Sequence, residues 1–140
     1  MEVYKRKVHY YETDQMAIVH HSNYIRWFEE ARINFLDDIG LGMNVIEEKG
    51  VLIPVLSVTC NYRSMTRFND TVCVGLRIEK YNGIKLQVSY RITDFATGEL
   101  RTTGSSEHCF INNAGNVISL KKEFPDMHKI LLENSNVTTY

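Results

Sequence analysis

Asp14 stands eight residues ahead of Ser22, in a stretch from Tyr11 to Gly40 that reads YETDQMAIVHHSNYIRWFEEARINFLDDIG. A polar loop carrying Glu12, Asp14, His20 and His21 runs straight into the one long amphipathic helix the sequence predicts. A helix start offers unpaired backbone N–H groups and the positive end of the helix dipole. A carboxylate beside such donors suits attack on an electrophilic carbonyl. The N–H groups would hold the oxygen as it gains charge, and the carboxylate would act as nucleophile or as base towards water. His20 and His21 stand where they can supply one of those N–H groups or position a water. Taken alone, the residues favour a plainer view, with Glu12 and Asp14 as turn residues and both histidines solvated, because acids are common in loops that lead into helices. A metal site built from Asp14, His20 and His21 is the weakest option. Adjacent histidines diverge on most backbones, and no helical HExxH spacing occurs.

The element that must position these groups is the helix after them. In 100° steps from Tyr24, the side chains of Tyr24, Ile25, Trp27, Phe28, Ala31, Phe35, Leu36 and Ile39 share one half-turn of arc. Arg26, Glu29, Glu30 and Asp37 take the other side, with Ile33 as the apolar exception. Ser22 or Asn23 is the expected cap and Gly40 the expected stop. Arg26 and Glu30 are spaced to pair, while Arg32 and Asp38 fall inside the apolar arc, so each needs a partner or an end position.

A length of 140 residues suits a single domain over 1–140. A formal net charge of −1 argues against a nucleic-acid partner. No run approaches the ~18 apolar residues of a membrane span. The start, MEVYKRKVHYYETD, has no signal-peptide core, and Cys60, Cys73 and Cys109 are odd in number and far apart. Reduced thiols in a cytoplasmic protein are therefore expected.

Residues 3 to 11 alternate loosely and predict a first strand, and Asn44 to Lys49 a short helical turn. From Val55 the period becomes two: Leu56, Val58, Cys60 and Tyr62 share a face, then Val72, Val74, Leu76 and Ile78, then Ile84, Leu86, Val88, Tyr90 and Ile92. Asn82-Gly83 marks a hairpin between the last two. Leu100 to Ile111 predicts another strand, in which Gly104, Ser105 and Ser106 allow close approach of another backbone. Lys121 to Glu133 predicts a second helix, and ENSNVTTY a loose tail. Strands with one apolar face and a helix with an apolar half-cylinder imply an α+β fold. About five antiparallel strands would wrap, as a curved sheet, around one long central helix.

The run from Thr13 to Tyr24, TDQMAIVHHSNY, continuing as IRWFEEAR, resembles the signature of hotdog-fold acyl-CoA thioesterases. It is most similar to the hydroxybenzoyl-CoA thioesterase type and to the thioesterases of the bacterial Tol-Pal operon. Their pattern, T-D-x-x-G-x-V-x-H-x-x-Y, is matched at many fixed offsets, and the element order extends the resemblance over nearly the whole chain. The resemblance implies that Asp14 is the catalytic aspartate. It implies that His21 supplies a backbone N–H to the thioester carbonyl, and that Tyr24 is the aromatic residue opening the helix beside the site. Ala17 stands where the pattern has glycine, and His20 where it has Tyr or Trp, which affects loop geometry and the acyl pocket respectively.

The same resemblance implies hydrolysis of an acyl-CoA thioester to free acid and coenzyme A, with no separate cofactor and no metal. Arg67, in the break SMTRFND, is the expected phosphate contact, with Arg63, Lys80 and Lys85 as lesser candidates. Tyr10, Tyr11, Met16, Trp27 and Tyr62 are candidate acyl-pocket residues. The resemblance further implies a homodimer or homotetramer with each site at an interface. Two other activities keep the fold: hydrolysis of acyl groups from acyl carrier protein, and acyl-CoA binding without turnover.

Overall fold

Before Val55 the chain supplies one strand of the main sheet and its longest helix, and from Val55 on the other four strands of that sheet and two short helices. A computed structural model describes residues 1–140. In chain order the strands are β1 (Tyr4–Lys7), β2 (Val51–Leu52), β3 (Val55–Tyr62), β4 (Thr71–Tyr81), β5 (Lys85–Asp94), β6 (Leu100–Cys109) and β7 (Ile111–Asn112). The helices are α1 (Ser22–Asp38), α2 (Met43–Glu48), α3 (Leu120–Glu123) and α4 (Pro125–Glu133). Five strands form one antiparallel sheet in the order β1-β4-β5-β6-β3, and β2 pairs with β7 beside it.

α1 lies across the sheet because its apolar arc matches the apolar face of the strands. Tyr24, Trp27, Phe28, Ala31, Phe35 and Leu36 are buried against Val72, Val74, Leu76, Val88, Tyr90 and Ile92. Burial on this scale stabilises by ~1.5–3 kcal/mol for each large side chain. Phe28 stacks on Tyr90 with ring centroids 4.3 Å apart. Gly104 makes room for it: a Cβ there would sit 2.6 Å from the Phe28 ring and 2.5 Å from the Thr59 carbonyl oxygen. The predicted close approach at Gly104 is thus to a helix side chain as well as to the neighbouring strand.

β3 is the open edge of the sheet. Its apolar residues Val55, Leu56, Val58 and Tyr62 are exposed rather than buried on one face.

Several local expectations are corrected. The first strand stops at Lys7, and Tyr10–Glu12 is a 3-10 turn. Ser22 and Asn23 do not cap α1. His21 occupies the cap position, and the Asn23 amide donates to the Glu12 and His20 carbonyls. Glu30 does not pair with Arg26. It accepts from the Tyr4 hydroxyl at 2.6 Å and from Arg6 Nε at 2.9 Å. The predicted 121–133 helix is broken at Phe124, since the residue before proline is pushed out of the helical region and Pro125 restarts the chain as α4. The tail is docked rather than loose. Leu76 N–H donates to Thr139 Oγ1 at 2.8 Å, Thr139 N–H donates to the Leu76 carbonyl, and Tyr140 covers Gly75. Of the Asn82-Gly83 pair only Gly83 takes positive φ, at 89°, while the Asn82 side chain accepts the Ile84 and Lys85 N–H groups.

Candidate active site

Asp14 opens a hairpin small enough to be fixed by four interactions. Thr13 bridges Val19, Asp14 N–H donates to the Ile18 carbonyl at 2.9 Å, and Ala17 N–H donates to the Asp14 carbonyl at 3.0 Å. Asp14 Oδ1 accepts the Met16 N–H at 2.8 Å, the side-chain turn that aspartate favours. Ala17 then has φ of 62°, a left-handed position that glycine fills without strain. The turn followed by a left-handed residue is the geometry of a three-residue hairpin loop. It gives a physical reason for glycine in the pattern at this offset.

Two contacts hold the hairpin against the rest of the chain. Val19 N–H donates to the Thr66 carbonyl at 2.8 Å, and Ile18 bridges Arg67. Beneath it, Glu12 is buried and fully engaged. Its carboxylate accepts both terminal nitrogens of Arg6 at 2.9 Å, the His9 N–H at 2.8 Å and Trp27 Nε1 at 2.9 Å. It is therefore no solvated turn residue. It ties β1, the loop and α1 together, and two of its partners were visible as residue types only, with no spacing signal to join them.

At the head of α1, His20 Nδ1 accepts the Ser22 N–H at 3.3 Å and lies 2.9 Å from Ser22 Oγ. The His20 and His21 rings lie against each other, with centroids 4.2 Å apart. The His21 N–H donates to no protein acceptor. Asp14, His21 and Tyr24 line one cleft of about 370 Å³ with Ile18, Val19, Tyr62, Arg63, Ser64 and Met65. Tyr24 is buried, which pushes its phenol up and keeps it protonated. Tyr62 closes the β3 side, its ring 5.4 Å from that of Tyr24.

Three of the four singled-out residues therefore share one cleft. Arg67 is outside its lining: it is exposed, and its N–H donates to Asp70 Oδ2 at 2.9 Å. Arg63, a lesser candidate, is in the lining. Tyr10, Tyr11 and Met16 are exposed away from the cleft wall, and Trp27 belongs to the core.

An open, polar-rimmed cleft at the N-terminus of a helix held in a five-stranded antiparallel wrap defines a class, and the comparisons agree with it. Residues 8–132 match the family model of the thioesterase-like superfamily. The chain is 39% identical over 131 residues to the "Putative acyl-CoA thioesterase YneP" of Bacillus subtilis, covering 91% of this chain and 94% of that one. Among solved structures, the DHNA-CoA thioesterase of Staphylococcus aureus superposes with a TM-score of 0.89 at 32% identity, covering 94% of this chain and 89% of that one. A hypothetical protein from Thermus thermophilus gives 0.88 at 30% identity, with 96% and 99% covered. The chain belongs to the thioesterase-like superfamily, as a hotdog-fold thioester hydrolase.

Proposed function

We propose that the protein hydrolyses acyl-CoA thioesters to a free carboxylic acid and coenzyme A, with Asp14 as the reacting carboxylate. One observation carries this reading: Asp14 and His21, whose N–H has no protein acceptor, line the same cleft at the positive end of α1. The thioester carbonyl oxygen docks on the His21 N–H, which strengthens as the oxygen gains charge. Asp14 Oδ1 accepts the Met16 N–H, which leaves the second carboxylate oxygen as the one to react. That oxygen either attacks the carbonyl carbon, giving a mixed anhydride that water then opens, or takes a proton from a water that attacks in its place. In both routes the carbon–sulfur bond breaks and coenzyme A leaves as thiolate, a leaving group good enough to need no strong general acid. Arg63, on the cleft wall, is better placed than Arg67 for a coenzyme phosphate.

The relatives support the coenzyme A carrier by name, since the proteins from B. subtilis and S. aureus are called acyl-CoA and DHNA-CoA thioesterases. The open β3 edge supports a homodimer. Its row of unpaired backbone groups and its exposed Val55, Leu56, Val58 and Tyr62 are what a second copy would cover.

Steady-state hydrolysis of acetyl, medium-chain, long-chain and aromatic CoA esters, read as free thiol, tests the proposal. Turnover of at least one ester class is expected, at a rate above that with the same acyl group on acyl carrier protein. Binding of the esters without thiol release, or release from acyl carrier protein alone, would overturn it.

A further inference from the structure

Arg32 is one of two charged residues inside the apolar arc of α1, and the one away from its end. It is half-buried and takes part in no ion pair. Its Nη1 donates to the Tyr90 hydroxyl at 3.0 Å. Arginine only donates, so the Tyr90 oxygen accepts here. The Tyr90 and Ser106 hydroxyls are hydrogen-bonded at 2.6 Å, and Ser106 Oγ is hydrogen-bonded to His108 Nε2 at 2.7 Å. His108 is fully buried, and its remaining ring nitrogen, Nδ1, makes no hydrogen bond of ordinary geometry, the Pro54 carbonyl being the backbone acceptor that acts on the ring. A buried polar chain of four residues thus ends in a single guanidinium and holds it still.

That guanidinium lines a second cavity, of about 260 Å³, between α1, α2 and the start of β3. Leu36, Met43, Ile53 and Val55 give it apolar walls, and Glu29 stands on its exposed rim. Its volume is just below the ~300–1,000 Å³ of small-molecule sites, so it suits a compact group. An arginine with free donors and no ion pair, set in apolar walls with Glu29 out on the rim, favours an anion with planar oxygens.

Within one chain Arg32 lies eleven residues beyond His21, about 16 Å along α1. It also lies by the Val55 end of β3, whereas the Asp14 cleft lies by the Tyr62 end. Antiparallel pairing of two β3 edges about a two-fold axis reverses this. The Val55 end of one copy comes alongside the Tyr62 end of the other, so each Asp14 cleft is continued by the other copy's cavity. The geometry points to Arg32 as a specificity-determining residue that acts across the dimer, selecting acyl groups whose far end carries a carboxylate. This rests on the thioesterase reading of the Asp14 cleft and adds the substrate class.

The test compares kcat/KM for CoA thioesters of short α,ω-dicarboxylic acids with that for monocarboxylic esters of equal length. The parental protein is expected to favour the dicarboxylic series. Arg32→Met and Arg32→Gln are expected to lower that ratio at least about tenfold, with little effect on the monocarboxylic esters. Arg32→Lys is expected to retain part of it. Co-expressed Asp14→Asn and Arg32→Met chains then separate the two copies. Action across the interface gives mixed dimers with one site of parental selectivity. Action within one chain gives mixed dimers with only dead or unselective sites and overturns the cross-dimer assignment. An active protein whose ratio is the same in the parent and both neutral variants overturns the role of Arg32. A parent inactive on every ester would instead remove the thioesterase reading itself.

Discussion

Two residues decide how firmly the candidate loop is held, and they act in opposite directions. Glu12 accepts four hydrogen bonds in a buried position, two of them from one guanidinium. Removing its charge leaves the Arg6 cation half-satisfied, and breaking a buried pair in this way costs about 3–5 kcal/mol. Glu12→Gln is therefore expected to lower the urea midpoint sharply and to lower turnover with it. Ala17 works against the fold, because a left-handed alanine costs roughly 1–2 kcal/mol. Ala17→Gly is expected to raise stability by about 1 kcal/mol in the same titration, less the extra chain entropy of glycine. Asp14, His21 and Tyr24 were legible at this scale because they share one stretch of chain at fixed offsets. Glu12 and Arg32 were not, since each is explained by partners on other elements at no regular spacing, Arg6 and Trp27 in one case and Tyr90 in the other.

At the scale of elements, periodicity was the most informative signal. The arc of α1 and the alternation in β3, β4 and β5 are governed by local geometry, so they could be read directly. The break at Phe124-Pro125 and the docked tail depend on proline sterics and on an unoccupied stretch of β4, which a hydrophobic pattern does not encode. The polar chain from α1 into β6 is likewise invisible to periodicity, because Ser106 and His108 read as weak strand residues. It has a measurable consequence. Burial, together with the nearby Arg32 charge, pushes His108 down from 6.5 to about 4. The folded state then binds fewer protons than the unfolded state between those values. Stability from this group is fully present above pH 6.5 and is lost as pH falls towards 4, with a slope of at most about 1.4 kcal/mol per pH unit. Denaturant titrations at pH 7, 6, 5 and 4 are expected to show this decline, and His108→Gln is expected to flatten its share of it.

For the whole molecule the decisive feature is what the chain leaves uncovered. α1 covers β4 and β5 thoroughly but leaves β3 with apolar side chains in solvent and one row of unpaired backbone groups. No helix is long and apolar enough to cross a membrane. An exposed strand edge with apolar side chains is a ready template for pairing with another chain. The account predicts a solution mass of at least two chains by light scattering. Val58→Lys, in the middle of β3, is expected to shift the protein towards monomer and to reduce thioester hydrolysis at least about tenfold, because a site continued by a second copy is lost with it. A monomeric variant with parental turnover would show that each chain carries a complete site.

The proposed chemistry rests on one carboxylate and one backbone donor in a shared cleft. Asp14→Asn preserves volume and keeps an oxygen for the Met16 N–H, while removing the charge proposed to attack the thioester or activate water. The most direct measurement is kcat/KM for that variant on the best ester, alongside its thermal unfolding. The account predicts an unfolding midpoint close to the parent and a loss in kcat/KM of at least about a hundredfold. A folded Asp14→Asn protein with the parental rate would contradict it.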